Sequence, residues 1–180
     1  MKKIIFIVLI QFQIIPVLLA QKFISTKSHI SFFSEAPVEN VEAHTYQSKS
    51  TFDTETGEIV FTVPVNSFQF KRSLMQKHFN EKYIQSDKYP RSRFKGKVTG
   101  FTKTPGKQDV TAEGLLEIHG VTKRVSLKGV IDFSSQKITV RSSFPLRVAD
   151  YKVKIPKLVF SNVAEVVDVT VEFTYVPDKS

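Results

Sequence analysis

From Glu58 onward the chain alternates apolar and polar residues with a period of two, segment after segment. Successive side chains of an extended strand point to opposite sides, so this alternation predicts strands with one dry face and one wet face. Six segments show it: Glu58–Val65, Arg93–Thr102, Asp109–His119, Arg124–Phe133, Lys137–Val148 and Val166–Val176. Two earlier segments, Lys22–Phe33 and Val41–Phe52, are extended in character but less regular, which gives about eight strands.

Turn residues separate these strands and set the expected architecture. They occur at Thr54–Gly57, Thr104–Gly106, His119–Gly120 and Ser134–Gln136. Short connections of this kind join antiparallel neighbours. About eight one-sided strands close as a barrel or stack as a sandwich, and a barrel removes its own edges. The chain is therefore predicted to be mainly all-β, with an antiparallel barrel as the favoured form.

One segment has helical rather than strand spacing. Between Phe70 and Gln85 the apolar positions recur every three to four residues, which predicts a short helix with basic residues on its other face. Ser67 is the expected N-cap, and Pro90 ends the segment. The segment Asp150–Asn162 contains Pro156 and has no clear period, so a long loop that can include local helix is predicted there.

The first twenty residues have the order of a secretory signal peptide. Lys2 and Lys3 precede an apolar run, and Ala20 meets polar residues at the expected cleavage point. An uncleaved anchor is the alternative, but Gln11 and Gln13 interrupt a run that is barely long enough to span a bilayer. We predict a cleaved signal peptide at residues 1–20, one domain at residues 21–180, and an exported protein, periplasmic or secreted, that is soluble after cleavage.

Composition narrows the chemistry and the partners. The chain has no cysteine, which excludes disulfides, thiol catalysis and a lipid-modified cysteine anchor. Of its 26 Lys and Arg residues, cleavage removes Lys2 and Lys3, and the remaining 24 against 17 acids give a net charge of +7. The basic residues are dispersed, so we expect a solvated surface with transient contact to anionic membranes, and no nucleic-acid partner. The sequence does not determine the oligomeric state.

The sequence offers little for catalysis. The histidines are His29, His44, His78 and His119, and none has metal-ligand spacing. No nucleophile elbow, phosphate-binding loop or dinucleotide fingerprint is present. We predict no catalytic residue, no metal and no cofactor, and hence no enzyme. His78 and Tyr83 on one helical segment keep open an enzyme that acts on a lipid or quinone.

Small residues in the inward phase of several strands raise the question of whether the barrel is hollow. If they leave space, large apolar neighbours would surround it with hydrocarbon. The candidate ligand-binding residues of this lumen are Phe61, Phe94, Gly96, Val98, Gly114, Leu116, Ile118, Leu127, Gly129, Ile131, Phe144 and Phe173. The alternative is that the glycines only allow the barrel to close and the large residues are ordinary core, as in a surface module with a filled barrel.

Four motifs in order resemble one family. They are Phe52-Asp53 with Thr56-Gly57, then Val63–Phe68 with Leu74–Phe79, then Ser86–Pro90 with Phe94-Lys95-Gly96, and finally Gly114–Val125. Together they resemble the YceI-like proteins across most of the predicted mature chain. The resemblance implies a lipocalin-like barrel with one short helix after the third strand. It also implies non-enzymatic binding of a long apolar lipid, a polyisoprenoid or an isoprenoid quinone, and so favours the hollow barrel.

Overall fold

A computed structural model describes residues 22–35, 40–134, 136–154 and 165–179. The predicted signal peptide lies outside these ranges, as does most of the predicted loop Asp150–Asn162. No helix among the described residues is long and apolar enough to cross a bilayer.

Ten strands occur in the described ranges. They are β1 (Lys22–Ser34), β2 (Val41–Thr45), β3 (Lys49–Asp53), β4 (Glu58–Pro64), β5 (Gln69–Phe70), β6 (Arg91–Thr99), β7 (Gly106–Ile118), β8 (Val121–Ser134), β9 (Lys137–Arg147) and β10 (Val166–Pro177). Eight of them form an antiparallel barrel in the order β1-β3-β4-β6-β7-β8-β9-β10, which the pairing of β10 with β1 closes. The predicted barrel is thereby confirmed, and its helix follows the third barrel strand, β4.

The predicted strand Val41–Phe52 is two strands, β2 and β3. The two strands follow one another along β1: Ile30–Ser34 pairs with β2, and Lys22–Ile24 pairs with β3. On their other sides β3 pairs with β4, but β2 pairs with the short strand β5. The extended segment is interrupted between β2 and β3 because β2 pairs with β5 on its other side whereas β3 pairs with β4. A local sequence pattern does not reveal this difference.

The helical segment is shorter and more varied than its spacing predicted. A 3-10 turn at Val65–Ser67 precedes β5, helix α1 spans Ser73–His78, and a π-helical turn follows at Phe79–Tyr83. The prediction of Ser67 as the N-cap is wrong, since α1 begins after Arg72. The Ser67 hydroxyl instead donates to the Pro64 carbonyl at 2.6 Å. The intervening β5 pairs with β2 and so delays the start of the helix.

Aromatic side chains fill the end of the barrel where β1 begins. Phe101 packs edge-on against Phe52 and Phe133, with ring centroids 5.3 and 5.4 Å apart, and Phe23 contacts Phe133 in the same way at 6.5 Å. The buried Tyr175 hydroxyl meets the Ser50 hydroxyl at 2.7 Å nearby. We call this the closed end, and the opposite end, which carries α1, the mouth.

The β7–β8 hairpin turn at the mouth is the predicted His119–Gly120. Both residues have positive φ, 52° and 70°, as a two-residue type I′ turn requires. The His119 ring donates from Nδ1 to the Tyr151 carbonyl at 3.1 Å, and Lys123 Nζ lies 3.3 Å from an Asp150 carboxylate oxygen. Both contacts join the hairpin to the 3-10 turn Val148–Tyr151 that follows β9.

Candidate functional site

A cavity of about 480 Å³ lies between the inward faces of the strands and reaches the mouth. Protein sites for small organic ligands have volumes of about 300–1,000 Å³, so this cavity is large enough to be a binding site. Its walls are mostly aliphatic and aromatic side chains, and a few polar residues such as Ser31, Ser92 and Ser142 contribute to them. The barrel is therefore packed at the closed end and hollow towards the mouth.

Most of the residues that the alternation assigned to the lumen lie on this wall. Nine of the twelve line the cavity: Phe61, Phe94, Val98, Leu116, Ile118, Leu127, Gly129, Ile131 and Phe144. Their inward direction follows from the period of two, because each sits in the inward phase of a barrel strand. Contact between these residues and a ligand stays a prediction.

Gly96 and Gly114 are not on the cavity wall. They face each other in the β6–β7 ladder, where the strands pass very close. A side-chain carbon on Gly114 would collide with the Lys95 carbonyl oxygen and the Gly96 Cα, and one on Gly96 would lie 2.6 Å from the Glu113 carbonyl oxygen. These two glycines permit close strand approach, which is the closure role that the sequence left open.

Phe173 is also absent from the cavity wall. Its side chain is fully buried, with ring centroids 4.9 Å from Phe61 and 5.9 Å from Tyr175. Phe61, which it contacts, does line the cavity. Phe173 therefore packs against a side chain of the cavity wall without lining the cavity itself.

Four phenylalanines near the mouth line the cavity but were not among the predicted lumen residues. Phe32, Phe68, Phe70 and Phe79 form one cluster, with the ring centroids of Phe70 and Phe79 5.1 Å apart and those of Phe32 and Phe68 5.3 Å apart. They come from β1, from β5 and its preceding residue, and from the π-helical turn. The helical spacing around Phe70 indicated an apolar face, but what that face would cover depended on the barrel.

The helical segment borders the cavity at the mouth. Leu74, Met75, His78, Phe79 and Tyr83 all line it. Leu74 is nevertheless 62 % exposed, so one side of its side chain faces the cavity and the other faces solvent. The apolar face predicted from the spacing is therefore the rim of the cavity.

Strands β8 and β9 are paired only in the half nearer the closed end. The ladder runs from Ser134↔Lys137 to Val130↔Arg141 and then stops. Nearer the mouth, the Ser142 hydroxyl donates to the Lys128 carbonyl at 2.6 Å, and both residues border the cavity. A side-chain hydrogen bond thus replaces the backbone ladder where the two strands diverge.

The site contains little that resembles catalytic machinery. No group of three or more His, Asp or Glu side chains in the described ranges is placed to hold a metal ion. His29 and His44 hydrogen-bond to each other at 3.0 Å on the outside of the barrel, and Glu42 lies 3.2 Å from His44. Burial raises the pKa of Tyr151, which lines the cavity, and the nearby Asp150 carboxylate raises it further, so this phenol stays neutral at physiological pH. The cavity can therefore enclose a hydrocarbon chain, and a few hydroxyl groups on its wall can hydrogen-bond to a polar end of such a ligand.

Several known structures have the same fold as this chain. A polyisoprenoid binding domain from Saccharophagus degradans, implicated in plant cell wall breakdown, is 16% identical with a TM-score of 0.75, covering 88% of this chain and 99% of its own. BcnA from Burkholderia cenocepacia is 17% identical with a TM-score of 0.69, over 82% and 95% of the two chains. The YceI protein of Campylobacter jejuni is 17% identical with a TM-score of 0.60, over 81% and 90%. At these identities the likeness concerns the fold.

A search of curated proteins found no match. The family model of the YceI-like domain, in contrast, matches residues 22–175, which is nearly the whole of the described barrel. The resemblance read from the four sequence motifs is thereby confirmed, and the chain belongs to the YceI-like family.

Proposed function

We propose that this protein binds and carries a long apolar lipid, a polyisoprenoid or an isoprenoid quinone, without chemically changing it. The observation that carries the proposal is the cavity of about 480 Å³, whose wall is mostly hydrocarbon. The relative from Saccharophagus degradans is described as a polyisoprenoid binding domain, which supports the same class of ligand. An unbranched or prenyl chain fits such a wall because it requires no buried charge or hydrogen bond.

The energetics favour reversible carriage. Each methylene transferred from water to an apolar environment contributes about 0.8 kcal/mol, so a long chain has ample gross driving force. A bilayer offers the same chain a similar environment, and binding also orders the ligand. The free-energy difference between cavity and bilayer is therefore small, as a carrier between membranes requires. The predicted signal peptide supports action in the periplasm or outside the cell.

Mass spectrometry of an organic extract tests the proposal directly. Protein purified from its native compartment should release one class of apolar lipid in stoichiometric amount. Ala112 lines the cavity from β7, so Ala112→Phe should fill space there and lower the lipid content. Leu115 lies on the outer face of the same strand and is 48 % exposed, so Leu115→Phe is the matched control and should keep its lipid. Lipid-free wild type, or equal lipid in both variants, would overturn the carrier.

One observation favours a second candidate, an enzyme that acts on the bound lipid. His78 and Tyr83 both line the cavity at the mouth, where a polar end of a ligand would lie. This candidate predicts that candidate lipids or quinones are converted, and that His78→Gln stops the conversion but leaves lipid content unchanged. Lipid recovered unchanged after prolonged incubation favours the carrier. The third possibility, a surface module with a filled barrel, predicts no extractable lipid.

A further inference from the structure

The mouth of the barrel carries an exposed apolar side chain within a strongly basic segment. Leu74 is 62 % exposed, more than Leu115 on the barrel wall at 48 %. The segment from Lys71 to Arg91 contains six basic residues and two acidic ones, and all eight are exposed. These residues are Lys71, Arg72, Lys77, Lys82, Lys88 and Arg91, against Glu81 and Asp87. An apolar residue and a net charge of +4 therefore occupy one edge of the cavity.

The geometry of α1 places the two kinds of side chain together. Lys77 follows Leu74 by three residues, and residues three apart are neighbours on a helix surface. Lys71 lies just before the helix. Lys71, Lys77 and Lys82 form no ion pair with any residue in the described ranges, so their charges are available to a partner.

The closed end of the barrel differs from the mouth in part. Its acidic residues Glu55 and Glu58 form ion pairs with Lys103 and Lys95. Its phenylalanines face inward as the core cluster, and Phe23 and Phe52 are buried. Exposed lysines without an ion pair among the described residues also occur there, such as Lys107 and Lys137, and Ile24 is 38 % exposed. The mouth therefore differs from the closed end in the greater exposure of Leu74 and in its position at the edge of the cavity.

We propose that this face, made of Leu74, Lys71, Lys77 and Lys82, docks on an anionic lipid bilayer and brings the cavity mouth against the membrane. Lysines near an anionic surface are attracted to its headgroups, and an exposed apolar side chain between them inserts at the interface. Leu74 also lines the cavity, so its insertion places hydrocarbon of the membrane next to hydrocarbon of the cavity. The biological role of this docking rests on the proposed lipid carriage, but binding to a bilayer can be measured without any ligand in the cavity.

Co-sedimentation of purified protein with vesicles tests this surface. Binding should be strong to equimolar phosphatidylglycerol and phosphatidylcholine and weak to phosphatidylcholine alone, and it should fall with added salt. Leu74→Glu should weaken binding about tenfold or more, and Lys71→Gln with Lys77→Gln should weaken it about fivefold for each lysine removed. Thermal unfolding of each variant checks that the barrel is intact.

Leu115→Glu is the matched control. Leu115 faces outward between Lys95 and Arg124 in the ladder, so it too is an exposed leucine with basic neighbours, but it lies on the barrel wall. It should bind vesicles as wild type does. Unchanged binding of Leu74→Glu, or an equal loss in Leu115→Glu, would overturn the docking face. Extractable lipid is measured separately. Protein that contains lipid but does not bind vesicles would refute the docking alone, and protein that binds vesicles but contains no lipid would refute the carrier alone.

Discussion

Replacing Phe173 or Phe144 by alanine separates the packed part of the barrel from the hollow part. Both residues belong to the inward phase of neighbouring strands, β10 and β9. Phe173 is fully buried, and its ring packs against Phe61 and Tyr175. Phe144 lines the cavity and is only half-buried, so it has fewer neighbouring atoms to lose.

The expected loss follows from these surroundings. Truncation of a fully buried phenylalanine costs about 3–5 kcal/mol, through lost transfer free energy and the void that remains. Each kcal/mol lowers the Tm of a domain of this size by about 2–4 °C, so Phe173→Ala should melt about 6–20 °C lower. Phe144 already faces empty space, so Phe144→Ala should lower the free energy of unfolding by only about 1–2 kcal/mol.

Urea unfolding of ligand-free protein measures both changes. The midpoint should shift with an unchanged slope, since the unfolded state and the surface exposed on unfolding stay nearly the same. Equal losses in the two variants would mean that Phe144 is packed as tightly as Phe173. That result would refute the hollow barrel, and with it the basis of the proposed function.

Two further predictions concern the strands and a turn. Gly114→Ala should lower the free energy of unfolding by at least about 1–3 kcal/mol, because the added methyl group collides with backbone atoms. Ala112→Gly, on the same face of the strand, should lower it by only about 0.5–1 kcal/mol. Urea titration of both variants measures the difference. The pKa of Asp53 is lowered by hydrogen bonds from the backbone N–H groups of Thr56 and Glu55, both at 2.9 Å. A lowered carboxyl pKa stabilises the fold above the ordinary value of 3.8 and loses that effect as the pH falls through the folded value. Asp53→Ala should therefore be less stable than wild type at neutral pH, and unfolding curves at decreasing pH should converge; a constant difference down to strong acid would contradict this account.

The glycines show how far a local pattern extends. The alternation placed Gly96, Gly114 and Gly129 in the inward phase, but it carries no information about the distance between strands. In the structure all three lie against neighbouring backbone, since a side-chain carbon on Gly129 would be 2.7 Å from the Arg141 carbonyl oxygen, but only Gly129 also borders the cavity. How closely the strands approach at a glycine, and whether it also borders open space, depends on barrel closure.

The helical segment shows the same division. Its spacing was sufficient to predict an apolar face with basic residues opposite. That the segment borders a cavity, with Leu74 at the rim, follows only from the position of β5 against β2. The π-helical turn at Phe79–Tyr83 and the start of α1 at Ser73 were likewise not predicted from the spacing.

The sequence by itself determined which side chains point inward, where the hairpins turn and which family the motifs resemble. These are local properties, because strand period and turn conformation depend on residues next to one another. The tertiary structure alone decided that the closed end is packed and the mouth is hollow. The volume inside a barrel is what remains after inward side chains from eight strands meet across it, and that depends on register and closure between segments far apart in the chain.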